Sequence, residues 1–336
     1  MEKPCKLLFI TQKIDEQDDD LAFVTQWVDT FIAQGFLVEV ICLEKGTFDG
    51  RFPVYSLGKE LGYGKIKHTA RFLKLITTLQ YERVFVHMNP EYFTLVGWWW
   101  FVTRKPSYLW YTHYATHIHL RLAAFFCKRM FAATAQSLPQ YNHNPKKVVT
   151  GHGVNTQFWT ASNVCINEKN LVMVHRLSRS KRVELGIEAL AFLPPEYTLT
   201  IYGRPIDAEY YRELTDLVTR LQLFERVIFK GPLPMPELRA EYPKYRIMIN
   251  MASETIDKTM LEAMCNGVYP VTTRANLQAI GLSEGPSEET PQMIAEFIKN
   301  GRATALSGET LATLVREKHS LQSLVNTMGG YIKSGT

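Results

Sequence analysis

The stretch Asn250-Met-Ala-Ser-Glu254-Thr-Ile256-Asp257-Lys258-Thr-Met-Leu-Glu262-Ala-Met-Cys-Asn-Gly267-Val-Tyr-Pro270-Val271 decides how this chain folds. It reads as strand, acidic turn, helix, glycine stop and second strand. The run from Tyr245 to Asn250 is short and mostly apolar, the pattern of a buried parallel strand. Asp257 stands where it can cap a following helix, Met260, Leu261 and Met264 mark that helix's buried side, and Gly267 ends it. Glu254 falls in the turn at the strand's carboxyl end, and Glu262 lies inside the helix. In an open parallel sheet, ligands gather over strand ends and against helix N-termini. Two carboxylates there can accept hydrogen bonds from vicinal hydroxyls while helix N–H groups face phosphate. The alternative is that Glu254 is a solvated turn residue and Glu262 an exposed helix residue, and the rest of the chain decides between them.

Working backwards, Asn170-Leu-Val-Met-Val-His175 reads as a strand apolar enough to lie inside a sheet. The basic loop Arg176-Leu-Ser-Arg179-Ser-Lys181-Arg182 follows it directly and leads into a helix through Ala191. A planar guanidinium can grip two oxygens of a pyrophosphate, an ammonium adds point charge, and the next helix offers N–H donors. Further strands are expected at Tyr197–Tyr202, ending at Gly203, and Val227–Lys230, ending at Gly231, separated by a helix from Ala208 to about Leu221. Asn276–Gly285 reads as a loop, Glu288–Asn300 as a helix, and Glu309–Ile332 as one or two more.

The first half alternates short apolar runs with helical patterns, which is βαβ organisation. Strands are expected at Lys6–Thr11, Phe36–Leu43, Phe52–Leu57, Arg83–His87, Ser107–Thr112 and Lys147–Thr150. One helix ends at about Gln34, another spans roughly Ile66–Leu79, and a third follows Thr112 to about Phe131. The loop after the first strand has no glycine, so Asp18, Asp19 and Asp20 are candidates either for acceptor hydroxyls or for helix capping. His87 and His113 each follow a strand and are expected at the carboxyl edge of the sheet, as ligand contacts or as structural residues. His117 and His119 lie close to His113, but no carboxylate accompanies them, so a metal site is not expected.

At 336 residues the chain is long enough for two domains, expected at 1–158 and 165–310, with 311–336 returning to the first. The five cysteines are scattered without a C-x-x-C pair, which argues against a disulfide framework and suits a reducing cytosol. The first residues lead straight into a strand, with no signal-peptide pattern. Residues 1–60 carry 6 basic and 11 acidic side chains, 61–150 carry 12 and 2, and 151–336 carry 20 and 20. The net charge of +5 therefore comes wholly from the back of the first half, a balance that suits an anionic surface. Within that region Trp98-Trp99-Trp100 precedes Arg104-Lys105. About ten apolar residues cannot span a bilayer, which needs about 20, so the segment is either a core helix or an interfacial one. Successive residues on a helix turn through about 100°, so three adjacent tryptophans cannot all lie on one narrow stripe.

Taken together, these segments resemble the retaining glycosyltransferases of family 4, which have the GT-B fold: two Rossmann-like doubly wound α/β domains facing each other across a cleft. The resemblance rests on Glu254 and Glu262 as a Glu-x7-Glu pair, on the Arg176–Lys181 loop, with His175 in place of the usual glycine, and on Gly153-Val154-Asn155 with Phe158 near the domain junction, where Asn155 replaces the usual aspartate. It implies a nucleotide-sugar donor on the second domain, contacted by Arg176, Lys181, Gly203, Gly231, Glu254, Ile256, Asp257, Lys258 and Glu262. Arg176 and Lys181 would stabilise the departing diphosphate, Glu262 the ribose and Glu254 the sugar. On the first domain it implies a glycan or lipid-linked acceptor near Asp18, Asp19, His87 and His113, with His113 nearest the reacting sugar. No metal cofactor and no nucleic acid are implied; an anionic membrane surface at the cytoplasmic face of the cell is a further expected partner. Thr11–Asp20 lacks the G-x-G-x-x-G of a dehydrogenase. A GT-B epimerase or phosphorylase, and an inactive membrane-bound scaffold, are the remaining alternatives.

Overall fold

A computed structural model describes residues 4–113, 117–160, 167–253 and 256–336. It divides into two compact units, the first made of residues up to Gly153 together with Leu321–Thr336, the second of Val154–Ser320. In the first, seven parallel strands alternate with helices: β1 (Cys5–Ile14), α1 (Phe23–Ala33), β2 (Phe36–Lys45), β3 (Val54–Ser56), α2 (Lys65–Thr78), β4 (Arg83–His87), α3 (Glu91–Val102), β5 (Ser107–Trp110), α4 (Ile118–Phe126), β6 (Arg129–Ala132) and β7 (Lys147–Val149). Their order in the sheet is β3-β2-β1-β4-β5-β6-β7. In the second unit β8 (Asn170–Val174), α5 (Val183–Ala191), β9 (Thr198–Tyr202), α6 (Ala208–Arg220), β10 (Val227–Gly231), α7 (Met235–Glu241), β11 (Ile247–Asn250), α8 (Lys258–Cys265) and β12 (Tyr269–Thr272) build a parallel sheet of order β10-β9-β8-β11-β12. Then come α9 (Arg274–Ile280), α10 (Pro291–Lys299), α11 (Gly308–His319) and, back in the first unit, α12 (Leu321–Ser334).

Both sheets reverse strand order next to their first strand, at β1/β4 and at β8/β11. Loops leaving those carboxyl ends diverge to opposite sides and leave a crevice for ligands.

Hydrophobic pattern places the layers. The first sheet is covered on one face by α2, α3 and α4, whose Phe72, Phe93, Trp100 and Leu120 are buried with Leu8, Ile10 and Val86 of the strands. On the other face α1 and α12 bury Trp27, Phe31, Leu324 and Met328 against Phe9, Phe36 and Phe85. Gly329 lets α12 lie close, since a Cβ there would meet the Phe36 ring at 3.3 Å. Arg83 Nε donates to the Ile332 carbonyl at 3.1 Å and the Tyr108 hydroxyl to that of Tyr331 at 3.0 Å.

Several boundaries differ from the sequence reading. β1 runs on to Ile14 because β2 continues beside it, pairing Ile14 with Lys45. The helix expected to reach Phe131 stops at Phe126, and the same apolar run becomes strand β6, with only Cys127 and Lys128 between them. No glycine or proline marks that change, and a short apolar run fits either state. Asn276–Gly285 was expected as a loop, but α9 occupies its first half, capped by the Thr273 hydroxyl on the Asn276 N–H at 3.2 Å. The first unit ends at Gly153 rather than 158, because Val154 donates to the His319 carbonyl at 2.8 Å and Trp159 packs on Tyr242 of the second unit.

His319 closes α11 from inside the core, and burial, reinforced by the adjacent Lys318 ammonium, draws its imidazole down to about 4. In the unfolded chain an imidazole titrates near 6.5. The folded state therefore resists a proton that the unfolded state accepts, and stability present above pH 6.5 is lost as the pH falls towards 4. The free-energy gap between wild type and His319→Gln should narrow by roughly 2–3 kcal/mol between pH 7 and pH 4.5. Urea unfolding at the two pH values measures it; a gap that stays constant means that His319 does not titrate as a buried neutral group.

Candidate functional site

The carboxyl end of the second sheet gathers the candidate donor residues on loops that are locked to one another. After β8 the chain makes a short turn at Arg179–Lys181, and Arg182 takes a left-handed conformation (φ 50°) before α5. Arg182 Nε donates to the Met251 carbonyl at 2.7 Å, and Ser253 N donates to the Ser180 carbonyl at 3.0 Å. The Thr259 hydroxyl donates to the Val174 carbonyl at 2.8 Å. The loops after β8 and β11 are thus joined on both sides of the point where strand order reverses.

Lys181 is 7% exposed, and its Nζ donates to Asp257 Oδ1 at 2.5 Å. The other carboxylate oxygen accepts from Asn250 Nδ2 at 2.9 Å. Asp257 occupies the N-cap position of α8, yet its side chain makes no capping bond; the carboxylate turns to Lys181 instead. This corrects the expectation that Asp257 caps the helix. Arg176 is exposed at the start of the same loop. Arg179 faces away and forks onto Glu213 at 2.8 and 2.7 Å.

His175, standing where the resemblance expects glycine, is buried. Its Nδ1 lies 3.2 Å from the Arg176 carbonyl oxygen. A carbonyl only accepts, so Nδ1 carries the proton and Nε2 is the bare nitrogen. Nε2 is buried without a hydrogen-bond partner among the described residues. Burial pulls the imidazole below its ordinary value, opposed by Asp257 and assisted by Lys181, so it is neutral at pH 7.

The two glycines divide their duties. Gly203 has φ 144°, and a Cβ there would lie 1.9 Å from the His175 carbonyl oxygen, so only glycine fits where the β8 and β9 loops meet. Its N–H donates to the Gly231 carbonyl at 2.9 Å, which commits that amide within the fold. Gly231 (φ 74°) borders open space. Ile256 is buried and packs in the core, while Lys258 and Glu262 lie one turn apart on α8, Glu262 buried and Lys258 partly so. Burial pushes the Glu262 carboxyl up, with Lys258 offsetting part of the shift. Burial likewise draws the Lys258 ammonium down. Glu262 is therefore not the exposed helix residue of the alternative reading. Glu254 lies outside the described residues.

In the first unit the expected acceptor residues separate. His87 is 1% exposed, stacked on Trp110 at 5.2 Å, edge-on to Trp27 at 5.3 Å, and 3.3 Å from the Thr11 hydroxyl through Nδ1. It belongs to the core and not to an accessible edge, because β4 is a central strand and aromatic rings close over its end. Asp18 is also structural: one oxygen accepts the N–H groups of Asp20 (2.9 Å) and Leu21 (2.7 Å), the other the Lys13 ammonium at 2.7 Å. Burial raises its carboxyl, but these bonds outweigh that and leave it below the usual range. Asp19 and His113 are exposed, His113 edge-on to Tyr111 at 5.4 Å. The His117 ring bonds the Tyr111 hydroxyl at 3.2 Å and the His119 ring the Thr94 hydroxyl at 2.8 Å.

Residues 160–279, the segment that carries all of these second-unit features, match the model of the family Glycosyl transferases group 1. Solved structures extend the likeness over the whole chain. Anabaena Alr3699/HepE, crystallised with UDP-glucose, is 18% identical, covering 98% of this chain and 99% of its own, with a TM-score of 0.78. Sucrose-phosphate synthase of Thermosynechococcus elongatus is 16% identical, over 98% of both chains, with a TM-score of 0.74. The lipopolysaccharide outer core galactosyltransferase WaaB is 14% identical, over 98% of this chain and 99% of its own, with a TM-score of 0.70. No curated protein sequence matches. The two Rossmann-like units have the fold of GT-B glycosyltransferases.

The buried ion pair yields a stability test. Removing one partner of such a pair leaves an uncompensated charge and costs about 3 kcal/mol or more, whereas replacing both by apolar groups of similar size is close to neutral. Asp257→Ala should therefore destabilise strongly, and Lys181→Met with Asp257→Leu should recover most of the loss. Equal stability of Asp257→Ala and wild type in urea would remove the pair from the architecture.

Proposed function

We propose that this chain is a retaining glycosyltransferase of the hexosyl type, moving a sugar from a nucleoside diphosphate sugar to a glycan or lipid-linked acceptor in cell-surface polysaccharide or glycolipid assembly. The observation that carries the reading is the placing of Arg176, Lys181 and Glu262 around one strand-order reversal, inside the segment that matches the glycosyltransferase family. Arg176 and Lys181 supply positive charge where a diphosphate leaves. Negative charge grows on that group as the glycosidic bond breaks, and cations already fixed in place stabilise it most at the transition state. The same charges make a bound metal unnecessary. Lys181 keeps two ammonium protons beyond the one given to Asp257, which orients it. Glu262 accepts ribose hydroxyls and Glu254 those of the sugar. Arg176, Lys181, Glu254 and His113 are the proposed catalytic set. Retention of configuration and the role of Glu254 follow from the family 4 resemblance. The neighbour bound to UDP-glucose makes uridine the first base to test. The acceptor is met by the first unit at the cytoplasmic face of the membrane.

Arg176→Ala should leave the fold unchanged and weaken UDP binding by about 1.5–3 kcal/mol, the worth of one charge-assisted contact, with a larger loss in turnover. Glu262→Gln should weaken UDP and UDP-sugar alike. Calorimetric titration of UDP, together with the anomeric configuration of the product by NMR in excess chelator, tests the whole reading. Near-normal UDP affinity in both variants moves the donor site elsewhere; an inverted product, or activity lost to chelator, overturns the mechanism.

A further inference from the structure

Helix α3, Glu91-Tyr-Phe-Thr-Leu-Val-Gly-Trp-Trp-Trp-Phe-Val102, is apolar around nearly its whole circumference. A helix of that kind is ordinarily covered on every side, by a protein core or by lipid. Here only one side is covered. Phe93, Val96 and Trp100 are buried against the sheet, and Gly97 meets the Phe126 ring of α4 so closely that a Cβ would lie 2.7 Å from it. The opposite stripe is open: Leu95, Trp98 (54% exposed), Phe101 (67%) and Val102 (67%). It continues onto α4 through ring contacts, Phe101 to Phe126 at 6.4 Å and Phe126 to Phe125 at 5.0 Å, and Phe125 is 70% exposed.

Charge selects what covers this face. The helices of this layer carry exposed Lys65, Lys67, Arg71 and Lys74 on α2 and Arg121 on α4, and Arg104 stands just beyond α3. Residues 61–150 hold 12 basic and 2 acidic side chains. A second copy packed face to face about a two-fold axis would set these bases against themselves, which like charges oppose. An anionic lipid surface satisfies both halves of the pattern: headgroups take the bases, and the acyl boundary takes tryptophan and phenylalanine. Among the described residues no helix is long and apolar enough to cross a membrane, so the face lies on the surface. We propose that the outward stripe of α3 and α4, flanked by the bases of α2, is a docking face that inserts into anionic membrane. It presents the first unit to lipid independently of the donor chemistry, so its success or failure is separable from that of the transferase reading.

The experiment is sedimentation of the full chain with vesicles of phosphatidylcholine alone and of phosphatidylcholine with phosphatidylglycerol in equal parts, at 0.1 M and 1 M salt. The Debye length falls from about 10 Å to about 3 Å over that range, so the basic contribution is screened and aromatic insertion is not. Binding is expected on anionic vesicles, with a salt-resistant remainder, and little on neutral ones. Changing Trp98, Phe101 and Phe125 together to Ser should abolish the salt-resistant part and weaken partition at 0.1 M salt by about tenfold or more. Lys65→Glu, Lys67→Glu, Arg71→Glu and Lys74→Glu combined should abolish the anionic preference. All seven are surface positions, and unchanged thermal melts and UDP binding confirm intact variants. No binding at 0.1 M salt, equal binding to both vesicle types, or undiminished binding of the triple variant overturns the proposal. So does a concentration-dependent dimer that the triple variant abolishes, which would make the face a contact between copies.

Discussion

The contact between Lys181 and Asp257 holds the second unit's business end together. Its partners are 76 residues apart in sequence and leave two adjacent strands, β8 and β11, whose onward connections run to opposite sides of the sheet. Beyond those strand ends the β8 loop bridges to the β9 loop, Leu177 N–H donating to the Arg204 carbonyl at 2.9 Å, but among the described residues no strand pairing joins the β8 loop to the β11 loop. The ion pair does, with Asn250 holding the far carboxylate oxygen and the Ser180–Ser253 and Arg182–Met251 bonds closing the loops around it. Burial makes the arrangement all or nothing. A charge removed from water is tolerated only when its partner and remaining hydrogen bonds are in place, so the loops are either registered or strongly destabilised.

That constraint explains what the sequence showed and what it hid. The parallel sheets, the glycine stops and the basic loop after β8 were legible because each is a local pattern of period, turn residue or charge. Arg83–His87 was read to its exact limits, since its own polar end residues enclose the apolar run Val84–Val86. The partner of Lys181 was not legible. Asp257 stands at a helix start, where capping is the ordinary local reading, and only the folded arrangement of β8 beside β11 offers it a better donor. His87 was hidden for a related reason: a histidine after a strand looks the same whether the strand end is open or roofed by Trp27 and Trp110. The β6 strand was missed because helix and strand meet there inside one apolar run without punctuation.

The same comparison separates two kinds of glycine. Gly203 was read as a donor contact, but the 1.9 Å approach of a Cβ to the His175 carbonyl shows a packing demand that any side chain would violate. The demand comes from backbone atoms of residues 175 and 176 and holds whatever side chain stands at 175. With His175 in place of a glycine, the β8 end carries a buried imidazole, and the backbone carbonyl of the same residue presses on Gly203. Close approach has been kept by holding glycine on the β9 side.

The two units solve different electrostatic problems. In the second, 19 basic and 20 acidic residues nearly balance, and two bases of the loop after β8 are themselves paired, Arg179 with Glu213 and Arg182 with Glu289. In the function we propose, a ligand phosphate there would meet Arg176 and Lys181 against a near-neutral background, so its binding would depend on geometry more than on net charge. In the first unit the segment 61–150 has 12 bases and only 2 acids, and no such pairing is available to most of them. Its field is broad and unfocused, which cannot orient a small anion but can hold an extended anionic surface. The uncovered aromatic stripe lies within the same segment. Apolar side chains are costly to leave in water and isolated bases are costly to bury, and a lipid interface is an environment that takes the first while keeping the second hydrated beside anionic headgroups.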